Sequence, residues 1–166
     1  GAGAPDCGPL INRKQLERVQ GKLDSARAAG AEVVARAQLL AEAPKTGFYF
    51  PPALLAGVPL DHEVAQDEVF GPVLAAFAFD GEDEAAQLAN GTPYGLTAAV
   101  WTRDGGRALR MAHRIEAGQV FINNYGAGGG VELPFGGVKS SGYGREKGFE
   151  ALQGFTTLKT VAFKHG

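Results

Sequence analysis

The chain has 166 residues, with 16 Lys+Arg against 18 Asp+Glu (net charge −2), 45% hydrophobic and 20% charged, the profile of an ordinary globular protein in water. This balance offers no basic field to hold nucleic acid or an acidic membrane surface, and the longest apolar run, seven residues over 73–79, is far short of the roughly 20 a membrane span needs. One cysteine, Cys7, excludes intrachain disulfides and a cysteine metal cage, while His62, His113 and His165 lack ligand spacing.

Gly1-Ala2-Gly3-Ala4 has neither the charged nor the apolar part of a signal peptide, so a reducing cytoplasm is the expected compartment. The only methionine is Met111, so the chain does not open on an initiator: either a methionine was removed ahead of Gly1 or the chain is a piece of a longer protein.

Asn12 followed three residues later by Gln15 reads as a capping box. Leu16, Val19, Leu23 and Ala26 then form one face of a helix that Gly30 ends. Residues 32–35 read as a short strand, and the prolines of Phe50-Pro51-Pro52 confine that stretch to an edge or an extended loop. A buried strand is predicted at 73–79. Asp80 then caps a helix carrying Ala85, Leu88 and Ala89, stopped at Asn90-Gly91. Residues 96–101 read as a strand, and Asp104 caps a helix presenting Leu109, Ala112 and Ile115 before Gly118. Another strand follows at 120–123.

Alternating strands and helices with short connections imply an α/β fold, a mostly parallel sheet covered by helices. The last quarter is different in texture: ten glycines fall in the 29 residues from Gly126 to Gly154. Leu133, Phe135, Tyr143 and Phe149 among them argue for a specifically folded irregular segment rather than a linker. A helix is expected at 145–152 and a long final strand at 156–164.

The chemistry-bearing stretch is Gln66-Asp67-Glu68-Val69-Phe70-Gly71-Pro72-Val73. Gly71-Pro72 turns the chain into a strand, which mounts Glu68 and Phe70 rigidly. A carboxylate can accept two hydrogen bonds from a cis-diol, and an aromatic can pack on a flat heterocycle. The plain alternative is a solvated acidic residue ahead of a strand.

The stretch stands in an ordered series. It is preceded by Gly8-Pro9-Leu10-Ile11 and followed by Asn90-Gly91-Thr92-Pro93-Tyr94-Gly95-Leu96-Thr97-Ala98 and Gly118-Gln119-Val120-Phe121-Ile122-Asn123. Pro134-Phe135-Gly136-Gly137-Val138-Lys139-Ser140-Ser141-Gly142 and Gly144-Arg145-Glu146 complete it. The series resembles the C-terminal part of the NAD(P)-dependent aldehyde dehydrogenase superfamily, from about Gly8 to Lys164. The resemblance implies the remainder of that catalytic domain over 1–140, a connecting helix segment over 141–155 and an oligomerisation strand over 156–166. It implies that Glu68 binds the nicotinamide-ribose hydroxyls, that Phe70 packs beside the nicotinamide and that Phe135 lines the aldehyde tunnel. Glu146 matches a glutamate associated with passing protons away from the site; equally, it reads as a carboxylate favoured at a helix N-terminus. Lys139 and Arg145 read as structural.

The reaction so implied oxidises an aldehyde to a carboxylic acid through a cysteine thiohemiacetal and thioester, with NAD or NADP as hydride acceptor. In the family the nucleophilic cysteine lies well upstream of the Gly8-Pro9 segment. Cys7 is therefore not that nucleophile and reads as a small packing residue. The general base and the dinucleotide loop would also lie upstream. The isolated chain is expected to be inactive and to bind no cofactor tightly. Expected partners are a small aldehyde and, through 156–164, further copies of the chain as dimers or tetramers, with neither nucleic acid nor membrane. Two other readings stand beside this one: a non-catalytic interaction module of the same fold, and an unrelated nucleotide-binding domain using the glycines around Gly128.

Overall fold

The structure is a computed structural model that describes residues 7–41, 43–44, 46–125 and 130–166. The chain forms two compact units, Gly1–Phe79 and Asp80–Gly166.

In the first unit, α1 (Arg13–Ala28) starts where Asn12 is extended and its side chain accepts from the Gln15 backbone N–H at 2.8 Å. Only half of the expected capping box forms, because the Gln15 side chain turns to a distant loop. Val19, Leu23 and Ala26 are buried and Leu16 is half-buried, as the spacing predicts. Gly30, at φ 99°, follows the helix and would strain any other residue.

Next come β1 (Glu32–Arg36), β2 (Ala53–Ala56), the single-turn α2 (Glu63–Gln66) and β3 (Val73–Ala76). The sheet order is β1-β2-β3, with β1 antiparallel and β3 parallel to β2. Its central strand, β2, is absent from the sequence reading, since four residues with two alanines directly after Pro51-Pro52 carry little signal. Leu55 on β2 is nevertheless fully buried against α1 in the common core. The expected buried strand at 73–79 is shorter and lies at the edge of this sheet: Val73 faces the core while Leu74 is 70% exposed. His62 caps α2 through Nδ1, which accepts from the Val64 N–H at 3.1 Å.

The second unit contains α3 (Gly81–Asn90), β4 (Tyr94–Gly95), β5 (Thr97–Val100), α4 (Gly105–Arg114), β6 (Gln119–Ile122), β7 (Val138–Lys139) and α5 (Glu150–Gln153). β5, α4 and β6 make a β-α-β unit with a parallel pair, and β4 pairs antiparallel with β7. Asp104 caps α4 as expected, accepting from Arg107 N–H at 2.9 Å. Asp80 makes no side-chain cap; its own N–H donates to Glu84 Oε2 at 2.6 Å. The apolar face of α4 is one position away from the predicted stripe: Ala108 and Met111 are buried and Leu109 is 60% exposed. Glu82 of α3 takes Arg110 and Arg107 of α4 at 2.7 and 3.2 Å, joining the two helices on their outer side.

The α/β architecture with parallel sheet pieces is therefore present, accompanied by the two antiparallel pairs. Three local expectations change. The helix at 145–152 is reduced to α5, because Gly144, Lys147 and Gly148 have φ of 76°, 60° and 62°, which a right-handed helix cannot include. Residues 156–164 pair with no strand of their own chain among the described residues, and Leu158, Val161 and Phe163 stand exposed. Cys7 is exposed and free rather than a packing residue. The glycines at 126–129, including Gly128, lie outside the described residues. Among the described residues no helix is long and apolar enough to cross a membrane.

Candidate functional site

Residues 67–72 connect α2 to β3 in the first unit. Asp67 leaves the helix with extended backbone, φ −130° and ψ 148°. Side chains then alternate: Glu68 points to solvent, Val69 is 8% exposed and anchors the loop in the core, and Phe70 is 62% exposed. Phe70 has φ 54°, a left-handed conformation rarely adopted by bulky residues and held only where the surroundings over-determine it.

Helix α1 supplies those surroundings. Gln15 Nε2 donates to the Val69 and Phe70 carbonyls at 3.2 and 2.9 Å. Lys22 Nζ bonds Asp67 Oδ2 at 2.7 Å and the Glu68 carbonyl at 3.4 Å. Arg18 lies 3.6 Å from the same Asp67 oxygen. A Cβ on Gly71 would meet Val19 Cγ2 at 2.5 Å, so only glycine lets the turn lie this close to α1. Among the described residues the Glu68 carboxylate has no hydrogen-bond or ion-pair partner, which leaves both of its oxygens to accept from a ligand. The structure thus places Glu68 and Phe70 side by side on one braced loop.

Phe135 and Glu146 come together in the second unit. Each donates its backbone N–H to the other's carbonyl at 2.6 Å, an isolated antiparallel bridge. Both border a cleft of about 750 Å³ together with Tyr143, Arg145, Glu150 and Gln153. Lys147 Nζ lies 5.6 Å from the centre of the half-buried Phe135 ring. Gln119 Nε2 donates to Pro134 O at 2.8 Å, and Arg145 Nη1 donates to the carbonyls of Gly137 and Gly144. Lys139 Nζ holds the carbonyls of Asn90 and Thr92 and sits 3.0 Å from Glu116. Arg145 and Lys139 thus brace backbone. The helix N-terminus reading of Glu146 fails, since α5 begins only at Glu150.

As residues of the site, Gln15, Lys22 and Lys147 are absent from the sequence reading. Lys22 left a signal: it sits three residues after Val19 and four before Ala26, on the apolar face of α1, where a charge needs a partner. Gln15 was absorbed into the capping box. Nothing local marks Lys147.

The Aldehyde dehydrogenase family profile matches residues 2–161. The chain is 44% identical over 162 residues to 4-trimethylaminobutyraldehyde dehydrogenase of Homo sapiens, covering 96% of this chain and 33% of that protein. Among solved structures it resembles a Burkholderia cenocepacia protein assigned to the aldehyde dehydrogenases, with TM-score 0.89 and 66% identity over 97% of this chain and 34% of that one. It also resembles betaine aldehyde dehydrogenase from Staphylococcus aureus in complex with NAD+, with TM-score 0.83 and 36% identity over 89% of this chain and 29% of that one. The chain thus spans about a third of the length of the curated relatives it matches. From its braced Glu-x-Phe-Gly-Pro loop to its Pro-Phe-Gly-Gly turn, this chain belongs to the aldehyde dehydrogenase family.

Proposed function

We propose that the chain is the C-terminal portion of an NAD(P)-dependent enzyme that oxidises an aldehyde to a carboxylic acid. The observation that carries this reading is the 67–72 loop, where a Glu68 carboxylate without a partner among the described residues and an exposed Phe70 ring stand together on a braced turn. That donor set fits a nicotinamide ribose: two acceptor oxygens for two adjacent hydroxyls, with an aromatic face beside them. NAD or NADP, when bound, supplies the hydride acceptor. Glu68 would hold and orient the ribose, Phe70 would limit the swing of the ring attached to it, and Phe135 would shape the path of the aldehyde. Glu146, beside Phe135, would pass protons toward solvent.

In this reading residues 1–140 belong to the catalytic domain, 141–155 form the connection, and 156–166 add as a strand to another copy of the protein in the cytoplasm. The chain by itself carries no activated thiol, because Cys7 stands next to Gly8-Pro9 rather than well upstream of it. Alone it should oxidise no aldehyde and hold no cofactor tightly. The natural-length protein, mixed with NAD or NADP and a panel including betaine aldehyde and 4-trimethylaminobutyraldehyde, should reduce the cofactor with at least one aldehyde. Absence of reduction across short, long, aromatic and trimethylammonium aldehydes would sink the catalytic reading and leave the interaction module.

A further inference from the structure

We propose that Lys22 is a positioning residue for the cofactor site, setting where the Glu68 carboxylate stands. The inference rests on the reading of Glu68 as the ribose clamp. Lys22 is 6% exposed, and among the described residues it is the one buried polar or charged residue. It lies on the face of α1 that carries Val19, Leu23 and Ala26, where an apolar side chain is the ordinary occupant. A buried ion pair is no better for stability than well-packed apolar residues of similar volume, so the ammonium is not explained by the strength of the core.

Its contacts explain it better. The three acceptors around Nζ are Asp67 Oδ2 at 2.7 Å, the Glu68 carbonyl at 3.4 Å and Glu63 Oε2 at 3.8 Å. All three lie on the segment that leads into Glu68, and one belongs to Glu68 itself. Lys22 fastens the loop on the N-terminal side of Glu68, while Gln15 fastens it on the other side at Val69 and Phe70. Between the two anchors the chain is strained at Phe70, and a strained loop released at one end relaxes toward commoner backbone angles. Asp67 is also near Arg18, so replacing Lys22 does not leave that carboxylate stranded.

The test uses the natural-length protein with Lys22→Met, Glu68→Ala and the double variant. NADH is the probe, read by the anisotropy decay of its bound nicotinamide, beside the single-turnover rate of NADH formation and the Tm. Lys22→Met should slow single turnover by about tenfold, within the range that misplacement of reacting groups produces. It should also speed the anisotropy decay and leave the Tm unchanged. In the Glu68→Ala background it should add nothing, since two residues acting through one group are not additive. Multiplicative losses in both backgrounds, or a lowered Tm with unchanged anisotropy, would overturn the proposal and make Lys22 a scaffold residue. A Glu68→Ala variant indistinguishable from the parent would instead remove the clamp reading, and the role of Lys22 with it. Where Lys22→Met fails to fold, Asp67→Asn weakens the same contact without altering the core. Loss of its effect in the Glu68→Ala background supports the proposal, and multiplicative losses overturn it.

Discussion

Phe135 and Glu146 sit directly opposite each other, exchanging both backbone hydrogen bonds. Opposed residues of an antiparallel pair send their side chains to the same face, so the ring and the carboxylate leave the bridge together toward the cleft they border. The bonds are main-chain, so either side chain can be changed without cutting the link. In the natural-length protein, Phe135→Ala should shift preference among aldehydes by roughly 1–3 kcal/mol while leaving cofactor affinity in place. Comparing kcat/KM for short, long and aromatic aldehydes checks it; equal losses for all three would mean that the ring only packs.

In the natural-length protein, Glu68→Ala should slow cofactor reduction in a single turnover on the order of 10²-fold, the scale for misplaced reacting groups, with little change in aldehyde entry. Stopped-flow measurement of NADH formation at saturating aldehyde decides it. An unchanged rate would mean that Glu68 is only a solvated carboxylate.

Gly118 and Gly105 make a matched pair. A Cβ at Gly118 would collide with the Gly136 carbonyl, inside the turn that carries Phe135, whereas at Gly105 it meets nothing within 4 Å. Gly118→Ala should destabilise by about 1–3 kcal/mol through overpacking. Gly105→Ala, at the first turn of α4, should be neutral or slightly stabilising. Thermal melts of the two variants test this, and equal Tm values would refute the collision.

Glu82 provides a pH-dependent link between α3 and α4. Hydrogen bonding by the Arg110 guanidinium, opposed by partial desolvation and aided by Arg107, lowers its carboxyl from an ordinary 4.5 to about 2. A carboxylate depressed on folding stabilises fully above its unfolded value and loses that contribution as the pH falls through its folded value. The helix pair should therefore keep this clamp above pH 4.5 and lose it progressively as the pH falls toward about 2. Carboxyl-carbon NMR of Glu82 should show the low midpoint, and Arg110→Gln should raise it; a midpoint near 4.5 in the parent would count against the clamp.

Residues 156–164 span roughly 30 Å if extended, and among the described residues no strand pairs with their backbone donors and acceptors. Leu158, Val161 and Phe163 are 101%, 80% and 79% exposed. Chains with residues 156–166 should self-associate, and chains without them should do so less. Light scattering on both forms checks it; equal masses would rule out an assembly role for this strand in the isolated chain.

Legibility in the sequence followed the range of the interaction. The caps at Asn12 and Asp104 were readable because donor and acceptor lie three residues apart. The parallel α/β pattern was readable because apolar strands alternate with capped helices. β2 was not, having too few residues to show a period, and the face of α4 was misread because alanine and methionine rather than Leu109 fill the core. Left-handed backbone at Lys147 ended a helix that composition alone favoured. Glu68 and Phe70 were singled out by an ordered series of motifs. The side chains that hold them act across 46 to 55 residues and leave no local pattern.

Cys7 is exposed, and its own chain offers it no second thiol. In air, the one disulfide it can form with its own kind joins two copies of the chain, whatever the tail does. A covalent dimer of this kind should disappear with a reductant and with Cys7→Ser, whereas association that rests on strand pairing through 156–164 should survive both. The same thiol is a single point for attaching a spectroscopic label to the isolated chain, outside the Glu68–Phe70 loop and the Phe135–Glu146 bridge alike.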